Sequence, residues 1–165
     1  MNALEYPDRH HVVAAEGWFE LGCDPEAMTE LGRLSPAGQC HPDPLELRWR
    51  ILARARNWAA ALEVSGQMTQ VAPDRPEGWI QLSFTLHELG RTRDAWNLLL
   101  PMASRFPEDS VIPYNLACYA CQLGELKAAQ QWLERAARMR PRKEIKGMAL
   151  SDPDLAPLRS CVEQL

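Results

Sequence analysis

The feature that most constrains this chain is an internal repeat with a period of about 34 residues. Residues recur at that interval in five pairs: Leu82 and Leu116, Gly90 and Gly124, Ala95 and Ala129, Leu99 and Leu133, and Pro107 and Pro141. Towards the N-terminus, the same interval relates Ala95 to Ala61 and Ala27, and Pro107 to Pro73. A period of this length is typical of solenoids built from stacked helix pairs, in which each pair buries its apolar face against the next.

The pattern inside one repeat predicts two antiparallel helices. In the third repeat, apolar residues recur at helical spacing on both sides of Gly90, and glycine suits a tight turn because it adopts left-handed backbone angles without penalty. Pro73, Pro107 and Pro141 recur at the ends of the last three repeats and stop the second helix of each, whereas Gln39 stands at this position in the first repeat. No alternating β-type pattern competes, so the sequence predicts an all-α fold in a single domain, residues 1–165. The predicted segments are repeats 8–41, 42–75, 76–109 and 110–143, followed by a C-terminal cap over 144–165.

The two ends of the chain depart from the regular pattern. In the first repeat, Ser35-Pro36 is expected to cut the second helix short, although Gly22 and Ala27 hold the turn and packing positions. In the tail, the leucines and valine of 155–162 are expected to cover the apolar face that the last repeat leaves open. Atypical terminal elements are usual in solenoids because one face of each end meets solvent.

Several residues at fixed repeat positions resemble the tetratricopeptide repeat family, whose pattern is W-x2-L-G-x2-Y, then A-x3-F, then P. Trp79-x2-Leu82, Ala95-x3-Leu99 and Pro107 follow this pattern with substitutions, as do Leu116, Ala129-x3-Leu133 and Pro141. The resemblance covers residues 8–143 and is degenerate over 8–41. It implies a right-handed α–α superhelix of about four helix pairs with a C-terminal capping helix.

The same resemblance implies a function, because first helices of successive repeats in this family line a concave groove that binds peptides or protein segments. By position, the groove candidates are Phe19, Glu46, Arg50, Arg54, Ile80, Phe84, His87, Glu88, Tyr114, Asn115 and Cys118. Phe19, Ile80, Phe84 and Tyr114 are the expected apolar anchors. The lysine-rich clamp by which some members hold the C-terminal carboxylate of heat-shock chaperones is missing, since Val12, Glu46, Glu77 and Gln81 stand at its positions.

No residue pattern in the chain predicts catalysis, a cofactor or a metal site. Cys118-x-x-Cys121 lacks the second ligand pair of a structural zinc site and is interpreted as two small residues of the groove. Nucleophile-elbow, dinucleotide-binding and phosphate-binding loop motifs are missing. The tryptophans, Trp18, Trp58 and Trp79 among them, are expected to pack between helices rather than to stack on nucleic-acid bases. The predicted function is therefore a non-enzymatic interaction scaffold.

Composition leaves the partner open. The net charge of −4 arises from 18 basic and 22 acidic residues, and the odd number of five cysteines favours a reducing, cytoplasmic setting. No signal segment or membrane span is predicted. Two alternatives remain beside peptide binding: a small bacterial secretion-type chaperone for a hydrophobic client, and a nucleic-acid-associated scaffold using the basic run 135–146. Helix-dipole compensation is the favoured interpretation of that run, and self-association as a homodimer is left open.

Overall fold

The computed structural model describes residues 4–164. Every regular element among these residues is a helix, which confirms the all-α prediction. The chain divides into two compact units, Met1–Leu82 and Ser83–Leu165. Over residues 4–164, no helix combines the length and the apolar character that crossing a bilayer requires.

The first unit consists of two helix pairs and a short connecting helix. Its elements are α1 (Asp8–Glu20), α2 (Asp24–Gly32), α3 (Pro36–Gln39), α4 (Pro42–Arg54) and α5 (Trp58–Val71). Helix α1 packs on α2, and α4 packs on α5. The predicted early end of the second helix in the first repeat is observed, because α2 stops at Gly32 and the Ser35 hydroxyl accepts a hydrogen bond from Gly38 N to cap α3. Helix α6 (Pro76–Glu88) begins in this unit and ends in the second.

The second unit contains a further helix pair and an irregular C-terminal region. Its elements are α7 (Thr92–Leu99), α8 (Met102–Arg105), α9 (Val111–Gln122), α10 (Leu126–Met139), α11 (Arg142–Ser151), a 3-10 helix (Pro153–Leu158) and α12 (Arg159–Glu163). The second helix of the third repeat is divided into α7 and α8, because Pro101 has no amide hydrogen for the helical ladder. Helix α9 packs on α10 and also on the 3-10 helix.

The small residue of each repeat lies at a point of close helix packing. Ala27, Ala61, Ala95 and Ala129 each occupy the second helix of their repeat, and each is 0% exposed. A side chain that ends at Cβ lets the paired helices approach without leaving a void. The repeat interval in the sequence therefore marks the contacts that hold each pair together.

The turn inside each repeat requires a left-handed backbone at one position. Gly22, Gly90 and Gly124 have φ values of 78°, 76° and 78°. The corresponding residue of the second repeat is Arg56, with φ of 52°. Because a side chain at Cβ crowds the following carbonyl in this conformation, the second repeat retains a strained residue where the other three have glycine.

Replacing Arg56 with glycine is expected to raise the free energy of unfolding by about 0.5–1 kcal/mol, since relief of left-handed strain outweighs the greater freedom of glycine in the unfolded chain. Urea unfolding followed by circular dichroism measures the change. Arg33→Gly serves as the control, because Arg33 has an ordinary helical φ of −85° and glycine there should lower stability. Equal destabilisation by both substitutions would contradict the strain argument.

The tryptophans are less buried than the repeat positions suggested. Trp18 is 39% exposed, so the expectation that it packs between helices is wrong. The buried face of α1 runs through Val12 and Ala15. Trp18 is rotated away from that face, around the helix axis, by roughly the angle between two consecutive residues. Trp58 and Trp79 are half-buried, and the Trp79 indole nitrogen donates a hydrogen bond to the Pro73 carbonyl at 3.0 Å.

Candidate functional site

The first unit contains an open cavity of about 580 Å³ between α1 and α4, the first helices of its two repeats. We call it the first-unit groove. It is lined by Leu4, Arg9, Val12, Val13, Glu16, His41, Asp43, Glu46, Leu47, Arg50 and Arg75. The lining combines aliphatic side chains with charges of both signs, which is a surface suited to an extended protein segment rather than to a single small anion.

Charges around the first-unit groove are paired unevenly. The Arg75 Nη1 lies 2.9 Å from the Asp43 Oδ1, and this hydrogen bond raises the pKa of Arg75. Glu46 lies on the same wall and makes no hydrogen bond or ion pair with any of residues 4–164. Burial raises the pKa of the Glu46 carboxyl, and the nearby Glu77 carboxylate raises it further. Glu46 is therefore a half-buried acid that makes no ion pair, although Arg50 and Arg75 lie near enough to lower its pKa in part.

One aromatic residue and two arginines meet at the end of the groove. The Arg50 guanidinium carbon lies 4.5 Å from the centroid of the Phe19 ring, and that of Arg54 lies 3.8 Å from it. Arg54 is held in place by a hydrogen bond from Nε to Asp24 Oδ2 at 3.0 Å and by one from Nη2 to the Phe19 carbonyl, also at 3.0 Å. The structure thus brings three of the groove candidates, Phe19, Arg50 and Arg54, into contact.

Three groove candidates of the second unit, His87, Tyr114 and Cys118, have a different environment, because residues 152–158 of the same chain contact them. We call these residues the C-terminal segment. The Tyr114 hydroxyl donates a hydrogen bond to Asp152 Oδ2 at 2.9 Å, and the Cys118 thiol donates to the same oxygen at 3.5 Å. The Nε2 of His87 lies 2.9 Å from Asp154 Oδ2. Each of these three candidates is therefore bound to the C-terminal segment.

This cover leaves little accessible surface on α9. Tyr114 and Cys118 are 6% and 5% exposed, so Tyr114 does not offer the accessible anchor expected from the sequence. Asn115 and Phe84 are half-buried, whereas Glu88 is exposed. Ile80, which belongs to the first unit, is half-buried as well. The physical reason is that Leu155, Leu158 and Val162 bury their side chains in the second unit and hold the C-terminal segment on α9.

Burial also determines the state of the two cysteines of the C-x-x-C pair. It raises the pKa of the Cys118 thiol strongly, with Asp152 adding to the effect, and it raises the pKa of Cys121. Both thiols are free and protonated near neutral pH. A redox pair needs the opposite shift, because the thiolate is the reactive species. In contrast, hydrogen bonding to Asp154 raises the pKa of His87 and favours its charged form.

Sequence reasoning missed two groups of residues around these sites. Arg75 lines the first-unit groove from a loop, and Asp43 lines it from the first turn of α4. The repeat pattern specifies no residue type at either position. Asp152 and Asp154 belong to the tail, which was expected only to cap an apolar face. The Asp-Pro-Asp sequence at 152–154 was the available signal, since aspartate before proline caps a helix start.

Similarity to solved structures identifies the fold. A thermophilic TPR protein, TTC0263 from Thermus thermophilus, matches with a TM-score of 0.74 and 19% identity, covering 92% of this chain and 80% of that one. MamA from Desulfovibrio magneticus RS-1 matches with a TM-score of 0.74 and 16% identity, over 99% and 97% of the two chains. The chain has a tetratricopeptide-like fold. No protein-family model and no curated protein matches the sequence.

A third tetratricopeptide structure bears on binding. YrrB, described as a TPR protein with an unusual peptide-binding site, matches with a TM-score of 0.69 and 13% identity, over 84% of this chain and 72% of that chain. At such identities the side chains of a site are not shared, so the similarity establishes the fold alone. The contacts of this tetratricopeptide-like chain therefore have to be argued from its own residues.

Proposed function

We propose that this chain is a non-enzymatic interaction module that binds a segment of another protein in the first-unit groove. The observation that supports the proposal is the contrast between the two units. The first-unit groove is an open cavity of about 580 Å³, whereas the α9 residues at corresponding repeat positions are bound by the C-terminal segment. The peptide-binding description of YrrB, a protein of similar fold, is consistent with this proposal.

The lining of the groove indicates what kind of segment it binds. Val12 and Leu47 give an apolar floor, and Phe19 packs against the same hydrophobic cluster. Glu46 is half-buried and makes no ion pair within the chain, so a lysine or arginine of the bound segment would pair with it and stabilise its ionised form. Arg50 stands at the rim and complements an acidic residue further along. We therefore propose a partner segment with one basic side chain among apolar residues.

A peptide-library selection with Glu46→Gln tests this assignment. The wild-type chain is expected to enrich 12-residue peptides that carry a lysine or arginine beside apolar residues, whereas Glu46→Gln should lose the preference for the basic residue. Its affinity for a selected peptide should fall about tenfold, as expected for the loss of one partly buried ion pair. Fluorescence anisotropy measures both affinities. The control is Glu63→Gln, an exposed glutamate on α5 of the same repeat.

The two outcomes that contradict the proposal are distinct. If the wild-type chain enriches no peptide, it does not bind extended segments and the proposed function is wrong. If Glu46→Gln and Glu63→Gln select the same basic peptides as the wild type, the chain binds peptide segments, but Glu46 does not determine the preference for a basic side chain.

The difference in stability between Glu46→Gln and the wild type should increase with pH. Because the folded-state pKa of Glu46 is raised, its ionised form destabilises the fold above the pKa of the unfolded chain, and protonation removes that cost as pH falls. Glu46→Gln is therefore expected to be more stable than the wild type at pH 7, by less than about 1 kcal/mol because solvent screens a half-buried group. The gain should vanish below about pH 4. Thermal unfolding across pH 3.5–8 measures it, and a gain independent of pH would contradict the assignment.

The basic run 135–146 is partly occupied by contacts within the second unit, which favours a protein partner over nucleic acid. Arg135 donates a hydrogen bond to the Ala103 carbonyl at 2.9 Å, and Arg140 lies 2.8 Å from Glu144. The Lys146 ammonium donates to the Glu163 carbonyl at 2.5 Å. Side chains held this way must break intramolecular contacts before they can contact phosphates.

A further inference from the structure

We propose that His87, Cys118, Asp152 and Asp154 form a binding site for a zinc-like divalent ion in the second unit. Three separate parts of the chain supply these residues: the end of α6, the middle of α9 and the start of the C-terminal segment. The bound ion would fix the C-terminal segment on α9. This goes beyond the proposed binding of a partner segment, which concerns the first unit.

The ligand atoms already lie close together. The Cys118 sulfur and one carboxylate oxygen each of Asp152 and Asp154 lie within 4.8 Å of one another. The Cys118 Sγ is 3.5 Å from Asp152 Oδ2, and the His87 Nε2 is 2.9 Å from Asp154 Oδ2. Tetrahedral zinc with ligand bonds of about 2.0–2.3 Å separates neighbouring ligands by about 3.3–3.6 Å. His87 lies outside this three-atom group, so its side chain has to move from its hydrogen bond with Asp154 to become the fourth ligand.

The ligand set selects the class of ion. One sulfur, one imidazole nitrogen and two carboxylate oxygens complete the four-coordinate shell that zinc prefers. Magnesium and calcium prefer shells made entirely of oxygen and do not favour a thiol. When zinc binds, the Cys118 thiol and the His87 Nε2 each release a proton to solvent as the zinc–sulfur and zinc–nitrogen bonds form, and no oxidation or reduction takes place.

Residues behind the ligands orient two of them. The His87 Nδ1 lies 2.9 Å from Thr92 Oγ1, so Nδ1–H can donate to that hydroxyl once Nε2 has lost the proton that it donates to Asp154 and binds the ion. Asp152 accepts a hydrogen bond from the Tyr114 hydroxyl at Oδ2 and one from the Asp154 amide at Oδ1, the latter at 3.0 Å. Hydrogen bonds of this kind hold metal ligands in position in zinc proteins and contribute to affinity.

Charge and access both favour a cation at this place. Asp152 and Asp154 bring two carboxylates against a buried thiol, and His87 is the one cationic side chain that contacts either of them among residues 4–164. Once the Cys118 thiolate has formed, a divalent ion would offset two of the three negative charges that the thiolate and the two carboxylates bring together. The Asp154 side chain is 30% exposed, so the ion has a route from solvent.

Titration of the metal-free full chain with cobalt and then zinc tests the site. After treatment with a chelator, one equivalent of Co²⁺ is expected to produce a thiolate-to-cobalt charge-transfer band, which zinc should remove by competition. Zinc should also raise the melting temperature of the wild-type chain. Cys118→Ser should abolish the charge-transfer band. Asp154→Asn should weaken zinc binding by at least about tenfold, the smallest effect usual for a residue of a zinc site.

Two controls separate this site from accidental binding. Cys40→Ser removes an exposed thiol that is followed in the sequence by a histidine, His41. This substitution should leave the band unchanged. Cys161→Ser removes a half-buried thiol from α12 and should also leave it unchanged. Circular dichroism shows whether Cys118→Ser is folded; if it is not, the partly exposed Asp154→Asn decides. Absence of a band in the wild type, unchanged zinc affinity in Asp154→Asn, or loss of the band in Cys40→Ser overturns the proposal.

Discussion

Leu155→Ala is expected to lower the free energy of unfolding by about 3 kcal/mol, because it leaves a cavity in a well-packed site. Leu155 is 0% exposed and belongs to the 3-10 helix that packs on α9. Its loss should loosen the C-terminal segment from α9 and expose Cys118. Urea unfolding measures the stability, and mass-spectrometric mapping of thiol labelling should show faster modification of Cys118 than in the wild type.

Leu150→Ala is the matched control for this prediction. Leu150 lies on α11, in the same region of the chain, but is 38% exposed. Removing a side chain that is already open to solvent on one side creates no enclosed cavity and should cost less than about 1 kcal/mol. Equal stability losses in the two variants, or no change in Cys118 labelling in Leu155→Ala, would show that the C-terminal segment does not depend on Leu155 for its place on α9.

Ala61→Leu is expected to have the second largest effect, a loss of about 3 kcal/mol or failure to fold. Ala61 is 0% exposed on α5, which packs on α4. A leucine side chain there has no space, so the helices must separate or the side chain must adopt a strained rotamer. Thermal unfolding of the purified protein measures the loss, and circular dichroism shows whether helix content survives.

Ala59→Leu provides the comparison on the same helix. Ala59 is exposed on α5, and leucine is nearly as good a helix former as alanine. We expect a change within about 0.5 kcal/mol. A similar loss in both variants would mean that the size of the side chain on α5, rather than close packing at Ala61, determines stability.

The glycines and alanines of the repeat show how much of the fold could be predicted from the sequence. Gly22, Gly90 and Gly124 were expected at tight turns, and their positive φ values confirm it. The alanine positions were expected at close helix contacts, and all four are buried. These predictions succeeded because each depends on local chemistry: a left-handed residue or a missing side chain has the same consequence in every repeat.

Other predictions failed where several surfaces compete for one side chain. Trp18 was expected to be buried between helices but is 39% exposed, since a one-residue displacement from the inward stripe turns a helical side chain towards solvent. Tyr114 was expected as an accessible anchor but is covered by the C-terminal segment. Neither outcome follows from repeat position, because both depend on which element packs over the residue.

The sequence by itself determined that this protein is a stack of helix pairs, because the 34-residue interval repeats the same small and turn-forming residues and so imposes the same local geometry each time. Only the tertiary structure decided which groove positions are accessible. Residues 152–158 lie far along the chain from His87, and their return to α9 depends on the burial of Leu155 and Leu158. Burial of this kind is a property of the folded surfaces, which no local pattern in the sequence records.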